Sequence, residues 1–338
     1  MAQSIVDRAW RRTTPDDIEP DLAGLWRDVA KQRSIARAVM SNLVVVRERA
    51  GAAAGGAQDV DALMHEIPLD EVVARHPSRV ILIQHDRVPG AACAPVAASV
   101  GVVIFGSLDA QYGVEEIVVQ SACAEPSLSS IVRRLLRGDV PTSVWWTDDV
   151  SQAPPLDAIV AMARQFVYDS RHWRDVRRGI VALAPLIEAR PTRLDFADLN
   201  WRRLMPLRHA LIQACEAGDA DHLRQANVQV VHRDGEEALA WLAVGWLAAR
   251  LEWTADAAPR VERGNPDDGE VISISVGPDL TAALNDYRVL VTRREAAGFT
   301  VSVPQEGEAD AVAAELRNLG HDACLHDALS ALLARFGI

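Results

Sequence analysis

The stretch RHPSRVILIQ (75–84) decides the fold of the first half of the chain. It joins the end of a helical segment at 60–74 to an apolar, β-branched run that begins at Arg79. His76-Pro77 lies at the junction, and a residue that precedes proline is biased away from helical backbone. The stretch therefore predicts a helix followed directly by a buried strand, which is the repeating unit of an α/β protein.

Helix and strand signals of the same kind alternate on both sides of this stretch. Near-continuous apolar strands separated by helices are typical of a sheet that is covered on both faces. We therefore predict an N-terminal α/β domain over 1–170, with a mixed or mostly parallel sheet flanked by helices. The predicted strands are 42–47, 79–84, 100–105, 115–121, 142–146 and 165–168, and the predicted helices are 21–40, 60–74, 126–139 and 156–164.

The pattern changes after residue 170. The segment 171–226 has a helical pattern throughout, with breaks at three prolines, and it predicts a helical bridge. Consecutive strand signals follow, and these favour antiparallel pairing. We predict a smaller α+β domain over 227–338, with strands at 228–232, 271–276, 287–292 and 299–303 and helices at 236–251, 309–319 and 327–336.

Composition limits the possible partners. The formal net charge of the 338 residues is −12, so a polyanion such as nucleic acid would be repelled over most of the surface. The apolar run 238–249 is too short to span a bilayer, and the N-terminus has no apolar stretch of signal-peptide length. Scattered cysteines suit a reducing compartment. We expect a cytoplasmic protein whose partners are neither nucleic acid nor membrane.

The common catalytic and cofactor motifs do not occur in the sequence. Lys31 is the only lysine, and it does not follow the glycines that a P-loop requires. No G-x-G-x-x-G follows a strand, and Gly106-Ser107 lacks the second glycine of a hydrolase nucleophile turn. We expect a protein that is not an enzyme, with no catalytic residue and no cofactor.

A cluster of possible metal ligands occurs near the C-terminus, in HDACLHD (321–327). It concentrates imidazole, thiol and carboxylate groups within seven residues. The cluster falls between two predicted helices, however, where His and Asp serve as cap and turn residues, and no second ligand pair accompanies it. We expect no metal site there.

Tryptophan is unusually frequent, with nine residues against five phenylalanines. In the strand 142–146, alternation places one ring of Trp145-Trp146 toward the core and the other toward a helix layer or solvent. The segment 198–216 couples Trp201 to Arg202 and Arg208, and tryptophan with arginine is typical of protein interfaces. We take these five side chains as candidate partner contacts. Two structural alternatives stay open: both strand rings covered by the domain's own helices, and an amphipathic helix docked on its own domain.

Five segments, in order along the chain, resemble the glucose-6-phosphate dehydrogenase assembly protein (OpcA) family. They are ARAVMSNLVVV (36–46), RHPSRVILI (75–83), VPTSVWWTDD (140–149), FVYDS (166–170) and ADLNWRRLMPLRHAL (197–211). One departure is Met205-Pro206-Leu207-Arg208, where the family pattern has Thr-Pro-Trp-Arg.

The resemblance implies a non-catalytic protein that binds glucose-6-phosphate dehydrogenase and promotes its active oligomer. Such an allosteric activator would support NADPH production in the oxidative pentose phosphate pathway. The alternative is a sugar-phosphate-binding protein or enzyme of the α/β class that uses arginines such as Arg133, Arg134 or Arg202 to hold phosphate.

Overall fold

The computed structural model describes residues 5–50, 59–87, 96–107, 110–121, 125–189, 193–215, 223–253, 259–264, 269–294 and 296–337. Within these ranges the chain forms two β-sheets with helices packed around them, which confirms the predicted α/β class and the second, smaller sheet. None of the helices in these ranges is both long and apolar enough to cross a membrane.

Nine strands of the described chain form the first sheet, in the spatial order β1-β5-β6-β4-β3-β7-β8-β9, with β2 paired to β6. Six strands, in the spatial order β6-β4-β3-β7-β8-β9, run parallel to one another. At one edge of the sheet, β5 pairs antiparallel with β6, and β1 pairs antiparallel with β5. The strands are β1 (Ile5–Thr13), β2 (Ala36–Arg37), β3 (Ser41–Ala50), β4 (Ser78–Arg87), β5 (Ala97–Ser107), β6 (Ala110–Ser121), β7 (Thr142–Trp146), β8 (Gln165–Tyr168) and β9 (Asp195–Asp198).

The parallel part of this sheet has the order of a doubly wound dinucleotide-binding fold. Numbered along the chain as one to six, its strands β3, β4, β6, β7, β8 and β9 lie in the order 3-2-1-4-5-6. The direction of winding reverses between β3 and β7. In sheets of this kind the crevice beyond the carboxyl ends of those two strands is where ligands bind.

Helices cover both faces of the first sheet, as the near-continuous apolar strands predict. In β3, Leu43 and Val45 pack in one core with α2 and α3, whereas Val44 and Val46 pack in another with α1 and α4. The helices of this half are α1 (Ile18–Gln32), α2 (Val60–His65), α3 (Leu69–Arg75), α4 (Glu125–Leu135), α5 (Asp157–Val160) and α6 (Val176–Ala189).

The second sheet has six strands among the described residues, in the order β11-β10-β12-β13-β14-β15, and all but the β10 to β11 pair are antiparallel. Its strands are β10 (Val228–His232), β11 (Arg260–Arg263), β12 (Glu270–Val276), β13 (Leu280–Asn285), β14 (Arg288–Arg293) and β15 (Phe299–Ser302). The accompanying helices are α7 (Leu199–Ala214), α8 (Glu237–Leu251), α9 (Glu308–Arg317) and α10 (Ala323–Phe336). Helix α7 contacts β13 and β14, so it joins the two sheets.

Several elements differ from the sequence prediction. The predicted helix 21–40 ends at Gln32 and is followed by β2, the predicted helix 156–164 is helical only over Asp157–Val160, and β11 was not predicted. Pro185 and Pro206 lie inside helices and do not break them. The segment 171–226 is not helical throughout, because it contains β9, the last strand of the first sheet. The predicted helix 60–74 is two helices, since the first ends at His65 and Pro68 is the N-cap of the second. Strands β1 and β13 were not predicted: β1 carries four arginine or aspartate residues at the sheet edge, and β13 is rich in alanine.

Candidate functional site

The candidate site lies at the carboxyl edge of the first sheet, beside the second sheet. A cavity of about 500 Å³ there is lined by residues of α7, of the turn after β13 and of the loop before α9. A smaller cavity of about 250 Å³ adjoins it at the end of β7. The two share Asp169, Arg171 and Glu308 as lining residues, so they form one cleft.

The crevice between β3 and β7 is bridged by the chain's own polar groups. The Asp148 carboxylate accepts a hydrogen bond from the Glu48 backbone N–H at 2.5 Å. The Thr147 hydroxyl donates to the Val46 carbonyl at 3.1 Å. A carboxylate therefore stands at the position where a doubly wound sheet receives an anionic ligand.

Trp145 and Trp146 end β7 and lie on opposite faces of the sheet. Trp145 packs in the core with α2 and α3, and Trp146 packs in the core with α5 and α6. Each residue is only 1% exposed, so both rings are covered by the chain itself. Both nevertheless line the smaller cavity.

Arg202 lines the larger cavity, where it is held by two carboxylates. Its guanidinium makes a bidentate contact with Glu306, at 2.5 and 2.9 Å, and donates to Glu315 at 3.2 Å. The hydrogen bond that Arg202 donates to Glu306 and the negative charges of Glu306 and Glu315 raise the pKa of Arg202, whereas burial raises the pKa of the Glu315 carboxyl. This side chain links the joining helix α7 to α9 and the loop before it.

Trp201 and Arg208 pack together beneath the cleft. The Trp201 indole N–H donates to the Asp322 carboxylate at 2.8 Å, and the ring is buried. The Arg208 guanidinium lies 3.6 Å from the centre of the Trp201 ring, and burial lowers the pKa of that guanidinium. Of the five predicted contacts, the structure therefore brings Trp145, Trp146 and Arg202 to the cleft and places the other two below it.

A buried carboxylate with three arginines ties the two sheets together, and it was not predicted from the sequence. Glu236, just before α8, accepts hydrogen bonds from Arg203 at 3.0 Å, Arg233 at 3.3 Å and Arg171 at 3.4 Å. Burial alone would raise the pKa of Glu236, but the Arg203 hydrogen bond and the three positive charges overcome it and lower that pKa. Only the Arg233 and Glu236 spacing is visible in the sequence.

A second buried carboxylate ends β9 and begins α7. Asp198 accepts hydrogen bonds from the backbone N–H groups of Ser170 at 3.1 Å and Asn200 at 2.9 Å, both at Oδ1. Burial, with the negative charge of Asp169, raises the pKa of Asp198 to about 7. Neither Oδ2 of Asp198 nor the hydroxyl of the adjacent Tyr168 has a hydrogen-bond partner among the described residues.

The cluster at 321–327 is engaged in structural contacts. Asp322 caps α10 by accepting from the Leu325 N–H at 3.0 Å, and the Cys324 sulfur lies 2.6 Å from the Arg250 guanidinium. His321 is 3.5 Å from Asp195. The described part of the chain contains no group of three or more His, Cys, Asp or Glu side chains that could hold a metal ion.

The arginines of the phosphate-binding alternative do not converge. Arg133 and Arg134 are exposed on α4, and Arg134 pairs with Asp16 at 3.1 Å. Arg202 lies in the cleft, where Glu306 already occupies its guanidinium fork.

The fold and the cleft define a class of protein: a two-sheet α/β protein whose first sheet has dinucleotide-fold order and whose carboxyl edge is cross-linked by its own ion pairs. Two family models match it. The model described as the glucose-6-phosphate dehydrogenase subunit N-terminal domain matches residues 69–185, and that of the C-terminal domain matches 194–329. The chain belongs to the OpcA family.

The similar proteins carry the same family name. The chain is 26% identical over 260 residues to a "Putative OxPP cycle protein OpcA" of Nostoc punctiforme, which covers 69% of this chain and 52% of that protein. It is also 26% identical over 133 residues to the protein of that name in Synechocystis, covering 38% of this chain and 27% of the relative. The chain thus spans about half, or less, of the curated relatives it matches. Among solved structures, a putative oxidoreductase from Thermotoga maritima has a TM-score of 0.36 at 9% identity, covering 87% of this chain and 96% of that one.

Proposed function

We propose that this chain is a non-catalytic assembly and activator protein that binds glucose-6-phosphate dehydrogenase in the cytoplasm. By promoting the active oligomer of the dehydrogenase, it supports NADPH production in the oxidative pentose phosphate pathway. The observation that carries the proposal is the pair of family matches. Each is described as a domain of a glucose-6-phosphate dehydrogenase subunit, and together they reach both sheets.

The cleft supports a non-catalytic role. Its arginines are already paired: Arg202 with Glu306 and Glu315, and Arg203 with Glu236. A phosphate would have to displace these carboxylates, and Glu236, which is buried, would be left as an uncompensated charge at a cost of several kcal/mol if it lost its arginines. The pairs act as cross-links between the sheets, which favours a rigid binding protein over a substrate site.

Activation by such a protein needs only differential affinity. If the chain binds the active oligomer about tenfold more tightly than the inactive form, each bound copy shifts the equilibrium by about 1.4 kcal/mol. The same coupling works in reverse, because ligands that favour the active oligomer must tighten its binding to this chain.

The direct experiment mixes the purified chain with the cognate dehydrogenase and follows sedimentation velocity and initial rate together. We expect a faster-sedimenting complex and a higher initial rate or a changed substrate affinity, and serum albumin at the same concentration provides the control for nonspecific protein effects. Failure to co-sediment, together with unchanged kinetics, would refute the proposal.

A thermal-shift screen of the chain alone tests the phosphate-binding alternative. A ligand that binds the native state raises its apparent stability by mass action. We expect no saturable shift with glucose 6-phosphate or 6-phosphogluconate in the absence of the dehydrogenase. A saturable shift that an Arg202→Ala variant abolishes would favour the alternative instead.

A further inference from the structure

A second cluster of charged side chains lies at the opposite, amino edge of the first sheet. Arg37 is in β2, Arg79 is the second residue of β4, Glu115 lies in β6 and Arg137 follows α4. Two of the segments that carry the family resemblance, 36–46 and 75–83, supply Arg37 and Arg79. Neither arginine lines the carboxyl-edge cleft.

Glu115 is the buried centre of this cluster. Its side chain is fully buried, and it accepts from the Trp26 indole N–H at 2.8 Å and from Arg79 at 2.5 Å. Arg37 also contacts Glu115, and Arg137 lies 3.8 Å from it. Both carboxylate oxygens are therefore occupied, so Glu115 can hold the arginines but has no capacity for a further donor.

The arginines outnumber the carboxylates that face them. Arg79, whose side chain is fully buried, and Arg137 share one more partner, Glu19, and the three positive and two negative charges leave a local excess of one positive charge. Burial, followed by repulsion from Arg137, lowers the pKa of Arg37. A local positive excess on a chain of net charge −12 marks this edge as a place where an additional anion is stabilised.

The outer side of the cluster is open and partly apolar. The side chains of Arg37 and Arg137 are 44% and 39% exposed, and Met40, three residues after Arg37 in the chain, is 55% exposed. The Arg37 guanidinium lies 5.0 Å from the centre of the Trp26 ring. Arginine, methionine and tryptophan are the residue types enriched at the centres of protein interfaces.

We infer that Trp26, Arg37, Met40 and Arg137, the amino-edge patch, dock a carboxylate-bearing segment of the dehydrogenase. This inference rests on the proposed function and names the surface that would carry it. An aspartate or glutamate of the partner would insert between the two exposed guanidiniums, which can each donate two parallel hydrogen bonds, while Met40 covers the contact from water. An excess of one positive charge fits a single carboxylate. A polyanion would meet the repulsion of the remaining surface.

The test measures the dissociation constant for the dehydrogenase at low and at moderate salt. Arg37→Ala with Arg137→Ala should weaken binding about tenfold or more and reduce its salt dependence, because both charges that meet the carboxylate are removed. Lysine at both positions keeps the positive charge but loses the paired N–H donors of the planar guanidinium, so this variant should bind more tightly than the double alanine variant and more weakly than wild type. Arg260→Ala, which removes an exposed arginine from β11 in the second sheet, should leave binding within about twofold.

A second variant shows whether weaker binding could come from unfolding of the double alanine variant. Met40→Asp places a carboxylate in the patch without touching Glu115, and it should also weaken binding about tenfold while the thermal unfolding midpoint stays unchanged. Wild-type chain that does not bind the dehydrogenase at all would overturn the proposed function and this inference with it. If the wild type binds and the folded patch variants bind equally well, only the docking surface is wrong. A change confined to self-association of the chain would assign the patch to a second copy instead.

Discussion

Replacing Asp198 by asparagine should make the chain more stable, and increasingly so as the pH rises toward neutrality. The carboxyl group is buried at the start of α7, and its pKa is raised from 3.8 to about 7. Asparagine keeps an oxygen that can accept from the Ser170 and Asn200 N–H groups. It also replaces Oδ2, which has no partner among the described residues, by a neutral group.

The direction in which the stability of the wild type changes with pH follows from proton linkage. Between the unfolded and folded pKa values the native carboxyl is protonated, whereas the unfolded one is charged, so the native state binds more protons. The free energy of unfolding of the wild type therefore falls as the pH rises through this window, by at most about 1.4 kcal/mol per pH unit. A shift of about three units gives an upper limit of about 4 kcal/mol for the gain of Asp198→Asn at neutral pH.

The assay is urea unfolding followed by the fluorescence of the tryptophans, from about pH 4 to about pH 8. The difference in unfolding free energy between Asp198→Asn and wild type should grow with pH and level off above about pH 7. Asp198→Ala should be less stable than Asp198→Asn by about 2 kcal/mol at every pH, because it also loses the helix cap. Asp59→Asn, at the exposed cap of α2, is the control and should change stability by less than about 0.5 kcal/mol. A difference between Asp198→Asn and wild type that stays flat from about pH 4 to about pH 7 would show that Asp198 is already ionised in the fold.

Three further predictions use the same unfolding measurement. Glu236→Gln leaves three arginines facing a neutral amide, so we expect the free energy of unfolding to fall by about 2 kcal/mol. A change below about 0.5 kcal/mol would contradict the role of this carboxylate as a link between the sheets. Trp201→Phe keeps a ring for Arg208 to stack on but loses the hydrogen bond to Asp322, which should cost about 1 kcal/mol; no loss would mean that water replaces the bond fully. Burial raises the pKa of Glu116 to about 8, so Glu116→Gln should gain stability over wild type as the pH rises from about 5 to about 8, and equal pH profiles would refute that shift.

The parallel strands of the first sheet were predictable because both of their faces are buried. In β3, β4 and β7 the apolar residues form unbroken runs, LVVV (43–46), VILI (80–83) and VWW (144–146), so no alternation has to be recognised. Strand β1 lies at the sheet edge, where none of its residues is buried, and its three arginines and one aspartate interrupt the apolar signal. Strand β13 is short and rich in alanine, a residue that favours helix, and only pairing with β12 and β14 makes it a strand.

The candidate site was predictable only in part, for a different reason. The double tryptophan and the Trp201 to Arg208 segment are visible as unusual composition, but composition does not tell whether a ring is exposed. Both strand rings proved to be buried on opposite faces. The cluster around Glu236 draws arginines from 171, 203 and 233, and such a set is brought together only by the packing of α7 against the second sheet.

The arginines at the two edges of the first sheet differ in how fully the chain's own carboxylates neutralise them. At the carboxyl edge Arg202 meets two carboxylates of its own chain and has little left to offer a partner. At the amino edge Arg37, Arg79 and Arg137 share only two carboxylates, Glu115 and Glu19, so one positive charge is left over. A side chain that is already immobilised avoids an ordering cost of about 0.5–1.5 kcal/mol on binding. Glu115 and Glu19 therefore hold Arg37 and Arg137 in place, and it is the excess positive charge of this held group, which Arg202 with its two carboxylates lacks, that favours the amino edge as the surface for a protein partner.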